Sequence, residues 1–121
     1  MYLQTSTVSL AVNASGDLTA YTPNLTGRVL EIRYVKGTLD AGTDLTITNE
    51  ATGAAILTVS PSADATWCPR QATHSTAAAA ALYAVGGAAV NDYCWLANQR
   101  VKIVVAQGGT SLTGTLYITV G

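Results

Sequence analysis

The sequence predicts an all-β protein, an antiparallel two-sheet sandwich or jelly roll with one long connection, in a single domain over residues 1–121. Threonine and valine are frequent and fall in short runs that alternate apolar with polar residues, the period of a strand with one face covered. Clusters of Gly, Asn and Asp interrupt these runs at short intervals, as turns do. No stretch carries a convincing amphipathic-helix pattern.

Residues 3–12 place Val8, Leu10 and Val12 on one face, and 13–17 turn the chain into a short strand at 18–21. In 28–36, Leu30, Ile32 and Tyr34 share one face and Glu31 and Arg33 the other, with a loop at 37–42. Leu45 and Ile47 then alternate with Thr46 and Thr48, a turn spans 49–53, and a return strand passes through Ile56, Leu57 and Val59. The pair reads as a hairpin, and the three successive strands as antiparallel neighbours. A further strand is expected at 93–96. In the last third, Val101, Ile103 and Val105 alternate with Lys102 and Val104, and Gln107-Gly108-Gly109-Thr110 turns the chain. Leu112, Leu116, Ile118 and Val120 then alternate with Thr113, Thr115, Tyr117 and Thr119. This reads as a second hairpin with one wet face, in which Gly109 supplies a positive backbone angle. About eight strands result, a number that suits a sandwich or jelly roll.

A chain of 121 residues buries a real core, so neither a disulfide framework nor a metal is needed to explain folding. Charged residues are only 11% of the chain and the net charge is −1, which leaves apolar surface for something to cover and predicts a homo-oligomer, a dimer or trimer. Arg28, Arg33, Lys36, Arg70, Arg100 and Lys102 are spread among the acidic residues, so no footprint for a phosphate backbone is visible and nucleic acid is not expected as a partner. The start of the chain has no positive n-region, which favours synthesis in a cytosol. The apolar run at 77–90 is too short to span a membrane. Asn13-Ala14-Ser15 and Asn24-Leu25-Thr26 match the glycosylation pattern but carry no weight without secretion.

The sequence offers little to an enzyme. A triad would have to use His74, and no Gly-x-Ser-x-Gly elbow is present. Cys68 or Cys94 would need the fold to bring it to His74. Gly86-Gly87 lacks the glycine and lysine of a phosphate-cradling loop. Cys68, Cys94 and His74 fall one short of a structural zinc set, and Asp40 and Asp44 lack the further oxygens of a calcium loop. No catalytic residue, metal or cofactor is therefore expected. Whether Cys68 and Cys94 are bonded stays open, a cytosolic chain favouring free thiols.

The long connection, residues 61–98, holds both tryptophans, both cysteines and the one histidine. Its middle, 71–91, carries no formal charge beyond His74, and its alanine run at 77–83 favours a helical turn or two. A loop of that length inside a domain is usually functional or disordered, and this one is rich in apolar and aromatic residues. Trp67, Arg70, His74, Leu82, Tyr83, Tyr93 and Trp95 are the candidate partner-binding residues. Tryptophan and tyrosine suit anchors of a protein interface, with Arg70 as a bidentate partner. The same aromatics would serve a carbohydrate platform, or fill the end of the sandwich as core.

The runs Thr26 to Val35, Asp44 to Gly53 and Leu96 to Gly109, together with Trp67-Cys68-Pro69-Arg70-Gln71-Ala72-Thr73-His74, resemble small virion proteins of tailed bacteriophages over most of the chain. Such proteins include capsid decoration, or cement, proteins. The resemblance implies a structural protein of the virion, made in the host cytoplasm, that holds neighbouring copies of the major capsid protein together. A tail- or fibre-associated carbohydrate-binding module is the competing expectation, and a small hydrolase using His74 a third.

Overall fold

The computed structural model describes residues 3–121. Ten strands follow one another: β1 (Gln4–Ala11), β2 (Leu18–Tyr21), β3 (Leu25–Val35), β4 (Asp44–Asn49), β5 (Ala55–Val59), β6 (Ala65–Trp67), β7 (Arg70–Ala72), β8 (Asn91–Gln99), β9 (Val101–Ala106) and β10 (Thr113–Val120). One sheet has the order β1-β10-β3-β8-β7, with β6 also on β3, and the second has the order β2-β9-β4-β5. All pairings are antiparallel. They nest, first strand with last, β2 with β9, β3 with β8, β4 with β5, as in a jelly roll wound from one long folded-back hairpin. The expected two-sheet sandwich is the fold observed.

Period-two alternation builds the core. Val8, Leu10 and Val12 from the first strand, Leu45 and Ile47 from β4, Val101, Ile103 and Val105 from β9, and Leu116, Ile118 and Val120 from β10 are all buried. Each such side chain contributes about 1.5–3 kcal/mol when withdrawn fully from water. Thr115, Tyr117 and Thr119 take the other face of β10. The expected faces of these strands hold.

Several expected pairings do not. Residues 100–120 are not a hairpin: β9 lies between β2 and β4, and β10 lies between β1 and β3 in the other sheet. Both strands bury one face, so they oppose each other across the core, and 107–112 carries the chain from one sheet to the other. For the same reason β3 does not pair with β4, although β4 and β5 do form the expected hairpin. On β3 the register slips, Glu31 facing Thr119 while Val29 faces Val120, so Leu30 is an extra residue in a bulge. The bulge puts Val29 and Ile32 in the core and leaves Leu30 only half-buried. The alanine run contains no helical turn. Strands β6 and β7, which the alternation did not reveal, occupy part of the expected connection.

The loops at one end are knitted together by glycines. Gly108 donates to the Gly16 carbonyl at 3.0 Å, and its own carbonyl accepts from Asp40 at 3.1 Å. Leu39, fully buried, plugs that end. A Cβ on Gly114 would lie 2.7 Å from Leu39 Cδ1, and one on Gly109 would lie 2.5 Å from Leu112 Cδ1. Gly109 has φ of +96°, the positive angle expected of it.

Ile103→Asp or Ile118→Asp places an unpaired carboxylate in this core and should cost on the order of 4 kcal/mol or more, most of the stability of a typical domain. Gly109→Val should lose about 1–3 kcal/mol from backbone strain alone, before the overlap with Leu112 is relieved. Thermal melts check all three; unchanged midpoints would contradict the register described.

Candidate functional site

The expected connection divides into ordered parts. β6 pairs with β3, Trp67 opposite Ile32, and the chain then reverses at Cys68-Pro69. β7 runs back beside β8, with Arg70 opposite Tyr93 and Ala72 opposite Asn91. Residues 73–90 therefore join two neighbouring antiparallel strands, a task for which about two to five residues suffice.

These residues form a small lobe of two turns. At its base Thr73 donates both its N–H and its hydroxyl to the Val90 carbonyl, at 2.9 and 2.7 Å. Ala81 donates to the Thr73 carbonyl at 3.0 Å and Val90 to the Ala81 carbonyl at 2.9 Å, so the lobe is pinned in its middle as well. One turn is closed by Ser75 donating to Ala79 and the other by Tyr83 donating to Ala88. Ala78 and Gly86 take positive φ, 62° and 72°. Alanine's helix propensity loses here because so short a run does not repay helix nucleation, while these backbone bonds satisfy its polar groups at once.

The lobe contains no Asp, Glu, Lys or Arg and is open to solvent. Val85 is fully exposed, Tyr83 is 77% exposed and Leu82 44% exposed. Each alanine from Ala77 to Ala80, with Ala84, Ala88 and Ala89, is exposed as well. His74 is exposed and forms an isolated backbone bridge with Ala80.

Beside the lobe, the outer face of the larger sheet carries a layer of arginine and tyrosine. The Arg70 guanidinium lies 3.9 Å from the centroid of the Tyr93 ring, and Arg28 lies 5.0 Å from the same ring. Arg70 Nη1 also donates to the Pro69 carbonyl at 2.9 Å. Trp95, opposite Arg28, is 60% exposed. Farther along, Arg33 covers Tyr117 at 4.5 Å, next to a shallow hollow of about 210 Å³ lined by Thr5, Glu31, Arg33, Tyr117 and Thr119. Strict alternation puts Arg28 and Arg33 on opposite faces; the bulge at Leu30 brings them to the same one. That is why sequence reading missed Arg28, Arg33 and Tyr117 as members of one surface, and Val85 was passed over as one more small apolar residue.

Of the expected binding residues, the structure thus brings Leu82 and Tyr83 together on the lobe, and Arg70, Tyr93 and Trp95 on the neighbouring sheet face. Trp67 sits apart from both. It is half-buried against the core, its ring centroid 6.4 Å from that of Tyr34.

Both cysteines are free, Cys68 exposed and Cys94 buried. Burial pushes the Cys94 thiol up, with Arg70 offsetting part of the rise. Burial likewise raises the Tyr34 phenol; Thr43 opposes the shift and Asp64 adds to it. The Tyr34 hydroxyl has no hydrogen-bond partner within bonding geometry among the described residues, and Thr43 donates its own hydroxyl to the Asp40 carbonyl at 2.6 Å. Among the described residues no three His, Cys, Asp or Glu side chains are grouped to hold a metal ion, and no helix is long and apolar enough to cross a membrane.

Two outcomes follow from these placements. Leu82→Ser, Tyr83→Ser and Val85→Ser should each leave stability within about 0.5 kcal/mol of the parent, whereas Trp67→Ala should lose about 2–3 kcal/mol, as thermal or urea melts will read. For Cys94 and Tyr34 the folded state favours the neutral form. Stability is therefore full below the ordinary thiol range and falls as pH rises through the thiol and phenol ranges, where the unfolded chain ionises first. Melting at stepped alkaline pH checks the fall, and alkylation of the native protein should label Cys68 and spare Cys94.

Comparison with protein-family models, with curated proteins and with solved structures found no match.

Proposed function

We propose that this protein is a structural component of a tailed-phage virion that decorates the capsid shell, its exposed lobe docking on the major capsid protein and helping to clamp neighbouring subunits. One observation carries the reading: a hairpin connection that needs only a few residues is expanded into an ordered, uncharged, solvent-exposed lobe with Leu82, Tyr83 and Val85 on its surface. The fold gains no core from it. Apolar groups held outward on a pinned backbone lose little further entropy on docking, and a weak contact repeated around a shell gains strength by multivalency. Arg70, Tyr93 and Trp95 beside the lobe supply the residue types that anchor protein interfaces. The resemblance of the strand and loop runs to small phage virion proteins agrees with this placement, as does the low charge.

A second reading has an observation of its own. The hollow beside Tyr117 combines an aromatic ring, the Glu31 carboxylate, the Arg33 guanidinium and the hydroxyls of Thr5 and Thr119, groups that suit a sugar. On that reading the protein is a carbohydrate-binding module of a tail or fibre.

Copy number separates the two. Quantitative mass spectrometry of purified particles should find the protein in numbers close to those of the major capsid protein; a few copies per particle would instead support the tail module. Replacing residues 74–89 with a short Gly-Ser turn should abolish binding to shells that lack the protein while leaving the fold intact by circular dichroism. Undiminished shell binding by that variant would overturn the role given to the lobe.

A further inference from the structure

We propose that β1 is a pairing edge for a second copy of this chain, so that two copies join antiparallel across a twofold axis and their larger sheets become one continuous sheet. The inference is independent of the capsid reading and rests on how the sheet edges differ. β1 borders the larger sheet and, among the described residues, pairs on one side only, with β10. An open strand edge is a template for another strand, and proteins usually blunt it with charge, proline, a bulge or brevity. β2 has four residues and runs straight into Thr22-Pro23. β5 has five, faces a register slip on β4 and ends before Ser60-Pro61. β6 and β7 have three each, with Pro69 between them, and β7 opens on Arg70.

β1 has none of these devices. Its eight residues, Gln4 to Ala11, contain no charge and no proline and pair with β10 without a slip. Its side chains also allow self-pairing. Val12, which continues the strand, donates its N–H to the Leu112 carbonyl at 3.1 Å, so the even-numbered residues turn their backbone groups toward β10. By alternation the N–H and C=O groups of Thr5, Thr7, Ser9 and Ala11 point to the open side. With Val8 on the twofold axis, Thr7 of one copy faces Ser9 of the other and Thr5 faces Ala11. Each outward residue then donates and accepts across the axis, and buried faces meet buried faces. No like charges oppose each other, and one isologous contact closes both open edges at once.

The register gives a charge-swap test at two exposed positions. By analytical ultracentrifugation the parent protein should be a concentration-dependent dimer at micromolar concentration. Thr7→Lys with Ser9→Lys places lysines opposite each other on both sides of the axis and should weaken dimerisation on the order of tenfold or more. Thr7→Lys with Ser9→Glu pairs opposite charges across the same axis and should keep the dimer. Circular dichroism and melting of both variants confirm that each remains folded, since the changes lie on the solvent face. A parent that stays monomeric, a trimer, or equal dimerisation of the two variants would overturn the proposal.

Discussion

The backbone of β3 is the constraint on which the larger sheet depends. Its residues from Val29 to Val35 pair with β10 on one edge, while on the other edge residues 32–34 take β6 and residues 25–29 take β8. β6 and β8 are both antiparallel to β3 and so run in the same direction along that edge, Trp67 opposite Ile32 and Cys94 opposite Val29, yet the chain leaves the edge between them. β6 stops at Trp67, the chain reverses at Cys68-Pro69, and β7 runs beside β8 before the chain re-enters the sheet. The lobe at residues 73–90 grows from that detour, outside the core, where extra chain is tolerated at little cost in loop entropy. The bulge at Leu30 lies between the two halves of β3, so the slip that reseats Val29 in the core also lines Arg28 up with Arg33 on the outer face.

Much of this fold was legible in the sequence, because burial on one face writes a period of two into each strand. Val8, Leu10, Ile47, Ile103 and Ile118 were correctly placed on inner faces for that reason. Alternation does not say which strand is the neighbour. β9 and β10 carry the same pattern whether they pair with each other or face each other across a core, and only the nested topology decides between the two. Gly108 and Gly109 marked a sharp turn in the sequence, but Gly108 also serves, with Gly114 on β10, to let Leu39 pack close to the backbone where the chain passes between sheets. Strands of three residues, such as β6 and β7, are too short to show a period at all.

The candidate site was legible in composition and not in geometry. The uncharged stretch around Leu82 and Tyr83 stood out because an exposed loop normally carries charge. Trp67 and Trp95 looked alike in sequence, yet one follows the inward register of β6 opposite Ile32 and the other lies on the outward face of β8 opposite Arg28. The arginine and tyrosine pairs were hidden because their members come from distant strands: Arg28 and Arg70 meet over Tyr93, Arg33 over Tyr117, and Arg100 over Tyr21.

All four arginines of the chain therefore lie over tyrosine rings, and this bears on how so lightly charged a surface behaves. A guanidinium held over a ring is partly desolvated and less free to move, so it presents a broad, weakly hydrated face in place of a mobile, strongly hydrated charge. Arg100 also forms an ion pair, with Glu50. Such pairs cover tyrosine without making the surface repulsive to other proteins. With threonines across β10 and an uncharged β1 beside them, the larger sheet offers a face and an edge that charge does little to protect. Exposed apolar groups on the lobe extend the same character beyond the sheet. The four guanidiniums thus order the protein's own surface over tyrosine rings, while the lobe and the β1 edge are built without Asp, Glu, Lys or Arg.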